Sequence, residues 1–317
     1  MARFVLKRLG LGIVLLWLVV TVVFLALHAV PGDPAAILLG SEGGGAVTPE
    51  ALARVRSQLG LDKPILVQYT DYLLRLVRFD LGTSFRNVDV PVLSYIGDRL
   101  PKTLELVFAA AFLAVLIGIP LGALAARIGG LVDTLISSLT TLGISMPVYV
   151  IGTIFVLVFS LQLGLFPAGG YTTLEANPVG HFQRLVLPAI ALSFGIGSVV
   201  ARMTRSAVLE TVAQDWVRTA RSQGLPRAKV FRRHVIRNSL TPVVTTLGLE
   251  IGTLLGSTVL IERVFTWPGM GSLLIDAVNA RDYPVVQGIV IVIAALFILI
   301  NLIVDLLYGV LDPRARQ

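Results

Sequence analysis

The 317-residue chain is 55% hydrophobic and only 14% charged, with a mean hydropathy of +0.85, which is too apolar for a soluble domain of its size. Its 26 Lys+Arg against 19 Asp+Glu give a formal charge of +7, but membrane proteins collect cations at their cytoplasmic margins, so the excess does not imply a nucleic-acid partner. With no cysteine, the sequence excludes disulfides, thiolate catalysis and Cys-based zinc sites.

A bilayer core of about 30 Å takes roughly 20 apolar residues in a helix. Six such runs occur, at Leu9–Val30, Leu104–Ala126, Leu142–Leu165, Leu185–Ala201, Pro242–Ile261 and Val285–Leu307, the third extended back toward Leu131. The first follows Arg3, Lys7 and Arg8. It exceeds the roughly 7–15 apolar residues of a signal core and no A-x-A site follows, so it reads as an uncleaved anchor. Pro120, Pro147 and Pro188 are candidate kinks in their spans.

The segment 31–103 is expected to be folded and extracytoplasmic. Thr48-Pro49 can cap a helix that stops at Gly60, and a second helix after Pro64 puts Ile65, Tyr69, Tyr72, Leu73 and Leu76 on one face. That face would pack on the membrane domain or lie at the interface, with docking of an external partner as the alternative. A cytoplasmic amino terminus places 15 of the 26 Lys+Arg inside, and the short outer loops then hold three, Arg184, Arg263 and Arg281. Both termini are therefore expected in the cytoplasm. The expected organisation is a tail and first span at 1–30, a helical extracytoplasmic segment at 31–103, and a transmembrane core at 104–317 with a polar loop at 202–240.

That loop, between the fourth and fifth spans, is the most informative stretch. Asp215 is a suitable N-cap, Gly224 a suitable residue just past a helix end, and Pro226 a stop signal, which together delimit about two turns. Helical spacing puts Val217, Ala220 and Gly224 on one narrow, small-residue ridge with nothing obvious of its own to pack on. Such a ridge fits a groove on another protein. The competing reading is a positively charged loop with only a topological role.

Charges and amides inside spans are costly in lipid, so Glu250, Gln287 and Asn301 are candidates to line a translocation pathway. Glu250 could instead pair with another helix, and Asp305 lies close enough to the inner end to act as an interfacial cap. Gly248, Gly252, Gly256 and Ser257 form a small-residue face suited to helix packing. His28, His181 and His234 are too scattered to suggest a metal site. No phosphate-binding loop occurs, because Lys102 alone of the four lysines precedes Ser or Thr and it follows Pro101. An ion-driven secondary transporter would share the spans but would not need a capped cytoplasmic helix. An intramembrane enzyme would need a catalytic pair inside the spans, and none stands out.

The segment Arg218-Thr219-Ala220-x-x-x-Gly224 resembles the E-A-A-x-x-x-G loop of bacterial ABC-importer permeases, with Arg218 in place of the acidic residue. Further stretches are similar, in order and across the whole chain, to the first permease subunit of dipeptide, oligopeptide, glutathione and nickel importers. They are Pro31-Gly32-Asp33-Pro34, Leu59-Gly60-Leu61-Asp62-Lys63-Pro64, Asp80-Leu81-Gly82, Phe265-Thr266-Trp267-Pro268-Gly269-Met270-Gly271, Arg281-Asp282-Tyr283-Pro284, Asp305-Leu306-Leu307-Tyr308 and Leu311-Asp312-Pro313-Arg314. The resemblance implies an all-α membrane protein of six transmembrane helices in the bacterial inner membrane. It implies a non-catalytic subunit that carries peptides or, alternatively, glutathione or nickel chelates. It also implies a second homologous permease, two ATPase subunits that bind ATP and Mg, and an extracytoplasmic solute-binding protein. The coupling helix, on this resemblance, comprises Asp215, Trp216, Val217, Arg218, Thr219, Ala220, Arg221 and Gly224, seated in a cleft of the ATPase.

Overall fold

The computed structural model describes residues 2–29, 35–36, 39, 48–58, 60–87 and 89–311. The motif at 31–34, the positions 42–45, Leu59 and the terminal residues 312–317 lie outside the described residues, as does the Asp305 side chain. The described chain is helical. Among the described residues the only pairing of extended backbone is an isolated antiparallel bridge between Thr83 and Pro91.

In order, the helices are α1 Ala2–Ala29, α2 Pro49–Gln58, α3 Ile65–Val77, α4 Val92–Ile128, α5 Gly130–Ser145, α6 Val148–Gln162, α7 Pro178–Val212, α8 Asp215–Ser222, α9 Arg227–Val264, α10 Met270–Asn279 and α11 Tyr283–Leu311. Five of them (Leu6–Ala29 within α1, α4, α7, α9, and Tyr283–Val304 within α11) are long and apolar enough to cross a bilayer. The expected third span is not one rod. It is the pair α5 and α6, bent by 107° at a short break, and it makes a sixth crossing if counted as one. The cause is local. Pro147 excludes the helical conformation from the residue before it, and Met146 accordingly sits at φ −86°, ψ 131°. By contrast α7 runs through Pro188, and α4 through Pro120.

Two compact units emerge. One takes in Lys102–Gly271 and the chain from Leu299, the other Ala2–Pro101 and Ser272–Ile298. The first is built on close helix approach. Gly118 and Gly122 of α4 lie so near the α7 backbone at Gly197 and Ala201 that any Cβ there would overlap it. In lipid, packing rather than water exclusion holds helices together, so small residues at the crossing matter most. Gly248 of α9 similarly meets Val304 of α11, whereas Gly256 faces open space.

In the second unit, Ala51 N–H donates to Thr48 Oγ1 (3.3 Å) at the start of α2, and Gly60 follows its end with φ +69°. Tyr69, Tyr72, Leu73 and Leu76 of α3 pack with Val20 and Phe24 of α1 and Ile291 of α11. Ile65, expected on that face, is instead exposed. The Thr21 and Tyr69 hydroxyls meet at 2.7 Å, and Phe85 N–H donates to Asp282 Oδ1 (3.0 Å), tying the loop after α3 to the start of α11.

Candidate functional site

The polar stretch after α7 folds as expected in extent and differently in orientation. α8 is eight residues long. Its N-cap is Gln214, in extended conformation, whose carbonyl accepts from Val217 N–H at 3.1 Å; no side chain caps the turn. Asp215, expected as the cap, is one residue inside the helix. Its carboxylate still complements the positive end of the helix dipole. At the other end Gly224 N–H donates to Arg221 O (3.0 Å) with Gly224 at φ +82°, the left-handed closure that glycine adopts without strain. Pro226 then opens α9, its carbonyl accepting from Lys229 and Val230.

Two of the three ridge residues are not free, whereas Gly224 faces open space. Val217 is completely buried with Val208 of α7 and Val230 and Val235 of α9, and Ala220 and Leu225 pack against the same cluster. An eight-residue helix is too short to persist alone, so its apolar face is taken by the chain's own neighbouring helices. What α8 presents outward is Asp215, Trp216, Arg218, Thr219 and Arg221, followed by Gln223. Trp216 is 42% exposed, a large apolar side chain left without cover on a charged surface. The Arg218–Asp215 approach at 3.6 Å is between two solvated side chains and contributes little. Beside the cluster, the Arg127 guanidinium stands 5.3 Å from the Phe231 ring.

The candidate pathway residues are dispersed. Glu250 on α9 and Asn301 on α11 are half-buried members of the first unit, and Thr253 Oγ1 lies 3.4 Å from the Glu250 carboxylate. Gln287 is buried in the second unit, in the wall of a cavity.

Three polar arrangements were not foreseen. Glu262, one residue past the expected end of the fifth span, is fully buried. Thr103 Oγ1 donates to its Oε1 at 2.6 Å and accepts from Met270 N–H at 2.8 Å, while Trp267 Nε1–H donates to Lys102 O at 3.0 Å. Gly269 and Gly271 have no room for a Cβ beside the Glu262 carboxylate. The run Phe265-Thr266-Trp267-Pro268-Gly269-Met270-Gly271 carried the signal: large aromatics among close glycines mark a tight turn around something bulky. On the same unit, His181 Nε2 lies 2.5 Å from Glu105 Oε1. Elsewhere Arg205 forms a two-point pair with Asp133, Nη2 to Oδ2 at 2.6 Å, joining α7 to α5.

Residues 118–317 match the family described as "Binding-protein-dependent transport system inner membrane component", and residues 1–107 match "Binding-prot-dependent transport system membrane comp, N-term". The chain belongs to this family. It is accordingly a multi-pass inner-membrane protein. It is 39% identical over 341 residues to the dipeptide transport system permease protein DppB of Escherichia coli (strain K12), covering 100% of this chain and 99% of that one. It is 42% identical over 318 residues, with the same coverage, to a putative peptide transport system permease protein of Brucella abortus (strain 2308). Among solved structures, inward-facing MetNI methionine ABC transporter coordinates align with a TM-score of 0.57 at 18% identity, over 69% of this chain and 97% of that one, a likeness of fold.

Proposed function

We propose that this chain is the membrane-spanning subunit of an ATP-driven importer of short peptides, forming half of the translocation pathway beside a second, homologous permease. The observation that carries the reading is end-to-end similarity to permeases named for dipeptide and peptide transport. The orientation follows the positive-inside distribution: six spans, with α5 and α6 as one broken crossing, both termini cytoplasmic, and segment 31–103 outside.

With no phosphate-binding loop in the sequence, ATP and Mg belong to two partner ATPase subunits and this chain is non-catalytic. An extracytoplasmic binding protein delivers the solute. α8 is the contact with the ATPase. Asp215, Trp216, Arg218, Thr219 and Arg221 face the partner, Val217 and Ala220 fasten the helix to α7 and α9, and Gly224 closes it. A displacement of α8 then reaches the spans through packed side chains, which resist compression. Glu250, Gln287 and Asn301 remain the candidates to meet solute in transit.

Copurification tests the reading. Tagged chain expressed with its partner subunits should retain both ATPases in detergent, and Trp216→Ala with Arg218→Glu should lose them while the membrane subunits stay together. Full retention in the double variant would remove α8 as the contact.

A further inference from the structure

The second unit contains a cavity of about 560 Å³ between the end of α1, α3 with the loop after it, and the start of α11. That volume lies in the range of small-molecule sites. One wall is aromatic, with Phe24, Tyr72, Phe85 and Tyr283. Phe24 and Tyr72 stack at 5.8 Å between centroids, and Phe85 and Tyr283 meet at 6.2 Å.

The lining is also charged, and its acids are already engaged. Asp71 pairs with Lys63 at 2.8 Å, and Asp80 Oδ1 accepts from Gly82 N–H at 2.8 Å. Lys63 holds the Asp71 carboxyl below the ordinary carboxylate range, so that pair is ionic at neutral pH. Arg75 and Arg78 also line the cavity, and neither is in ion-pair range of a carboxylate among the described residues. Two guanidinium groups thus line the cavity with no direct carboxylate contact, although Arg75 adds to the field that Lys63 exerts on Asp71. Tyr72 is 7% exposed, and its hydroxyl has no hydrogen-bond partner among the described residues. An unpaired buried hydroxyl is costly, and an oxygen acceptor drawn down between Arg75 and the aromatic wall would relieve it.

We propose that this cavity binds a carboxylate carried on an apolar body of dipeptide size, the carboxylate held by Arg75 and Arg78 and the side chain laid over Phe24, Phe85 and Tyr283. Guanidinium groups take carboxylates in a planar, two-point geometry, which a lysine-lined cavity would not impose. The naming of a short peptide as the ligand rests on the importer reading. The site itself is distinct from Glu250 and Asn301, which belong to the other unit.

The test uses the full chain in nanodiscs of neutral phosphatidylcholine, without a binding protein, and measures equilibrium binding of the dipeptide Ala-Phe. Saturable binding is expected, weakened at least about tenfold for the carboxyl-terminal amide of the same dipeptide and for the Arg75→Gln/Arg78→Gln double variant. Both arginines are exposed, so the variant should remain monodisperse, and the amide comparison needs no variant at all. Absence of saturable binding, equal affinity for the amide, or unchanged affinity in the double variant would overturn the site. So would abolition of binding by phosphatidylglycerol in the nanodisc, since the occupant would then be a lipid headgroup. Failure of ATP-driven peptide uptake with Ala-Phe binding intact counts against the importer reading alone; uptake intact with no binding here counts against this site alone.

Discussion

Replacing Val217 separates the two faces of α8. The side chain is fully buried among Val208, Val230 and Val235, so Val217→Ala removes two methyl groups from a closed apolar cluster. At about 0.8 kcal/mol per buried carbon, with a cavity contribution added, the change costs about 2 kcal/mol. Because α8 lacks the length to persist alone, most of that cost falls on its attachment to α7 and α9, and the opening equilibrium shifts by roughly 30-fold. Val217→Asp would place an uncompensated charge in the cluster, at several kcal/mol, and should detach the helix altogether. Amide hydrogen exchange of residues 214–226 in nanodiscs reads this directly: faster in Val217→Ala, unprotected in Val217→Asp, unchanged in Trp216→Ala. ATPase stimulation should fall in all three, in Trp216→Ala through the lost partner contact. Parental exchange and full ATPase coupling in Val217→Asp would refute the assignment of inner and outer faces.

Gly224→Ala meets no neighbouring atom, so its expected cost of about 1 kcal/mol comes from the left-handed backbone alone, and exchange should quicken only at the carboxyl end of α8. Thr103→Val removes one hydrogen bond from the buried Glu262 carboxylate and one from the Met270 N–H; thermal unfolding in detergent should show a loss of about 1–3 kcal/mol, largely restored in Thr103→Ser. Glu250→Leu should impair uptake while the assembled complex stays at its normal amount; a loss of assembly instead would make Glu250 a helix-pairing residue.

Much of this fold is written locally. Gly224 and Pro226 fixed the end of α8, and Thr48 and Gly60 bracketed α2, because caps and closures depend on a few adjacent residues. The bend between α5 and α6 is also local, since Met146 precedes a proline, although hydropathy alone joined the two helices into one span. What escaped was pairwise geometry. Val217 looked like the crest of a free ridge because nothing adjacent in sequence shows that Val208, Val230 and Val235 converge on it. Glu262 drew no notice because Thr103, whose hydroxyl donates to it, lies 159 positions away. Arg205 was one cation among many until Asp133 came beside it.

ATP-driven peptide import through this chain can be measured directly. Proteoliposomes containing this chain, the second permease, both ATPases and the binding protein should accumulate a radiolabelled dipeptide when ATP is enclosed with the ATPases. Accumulation should persist after an ionophore collapses the ion gradients. Uptake that follows an ion gradient and ignores ATP would instead make the chain part of an ion-driven transporter.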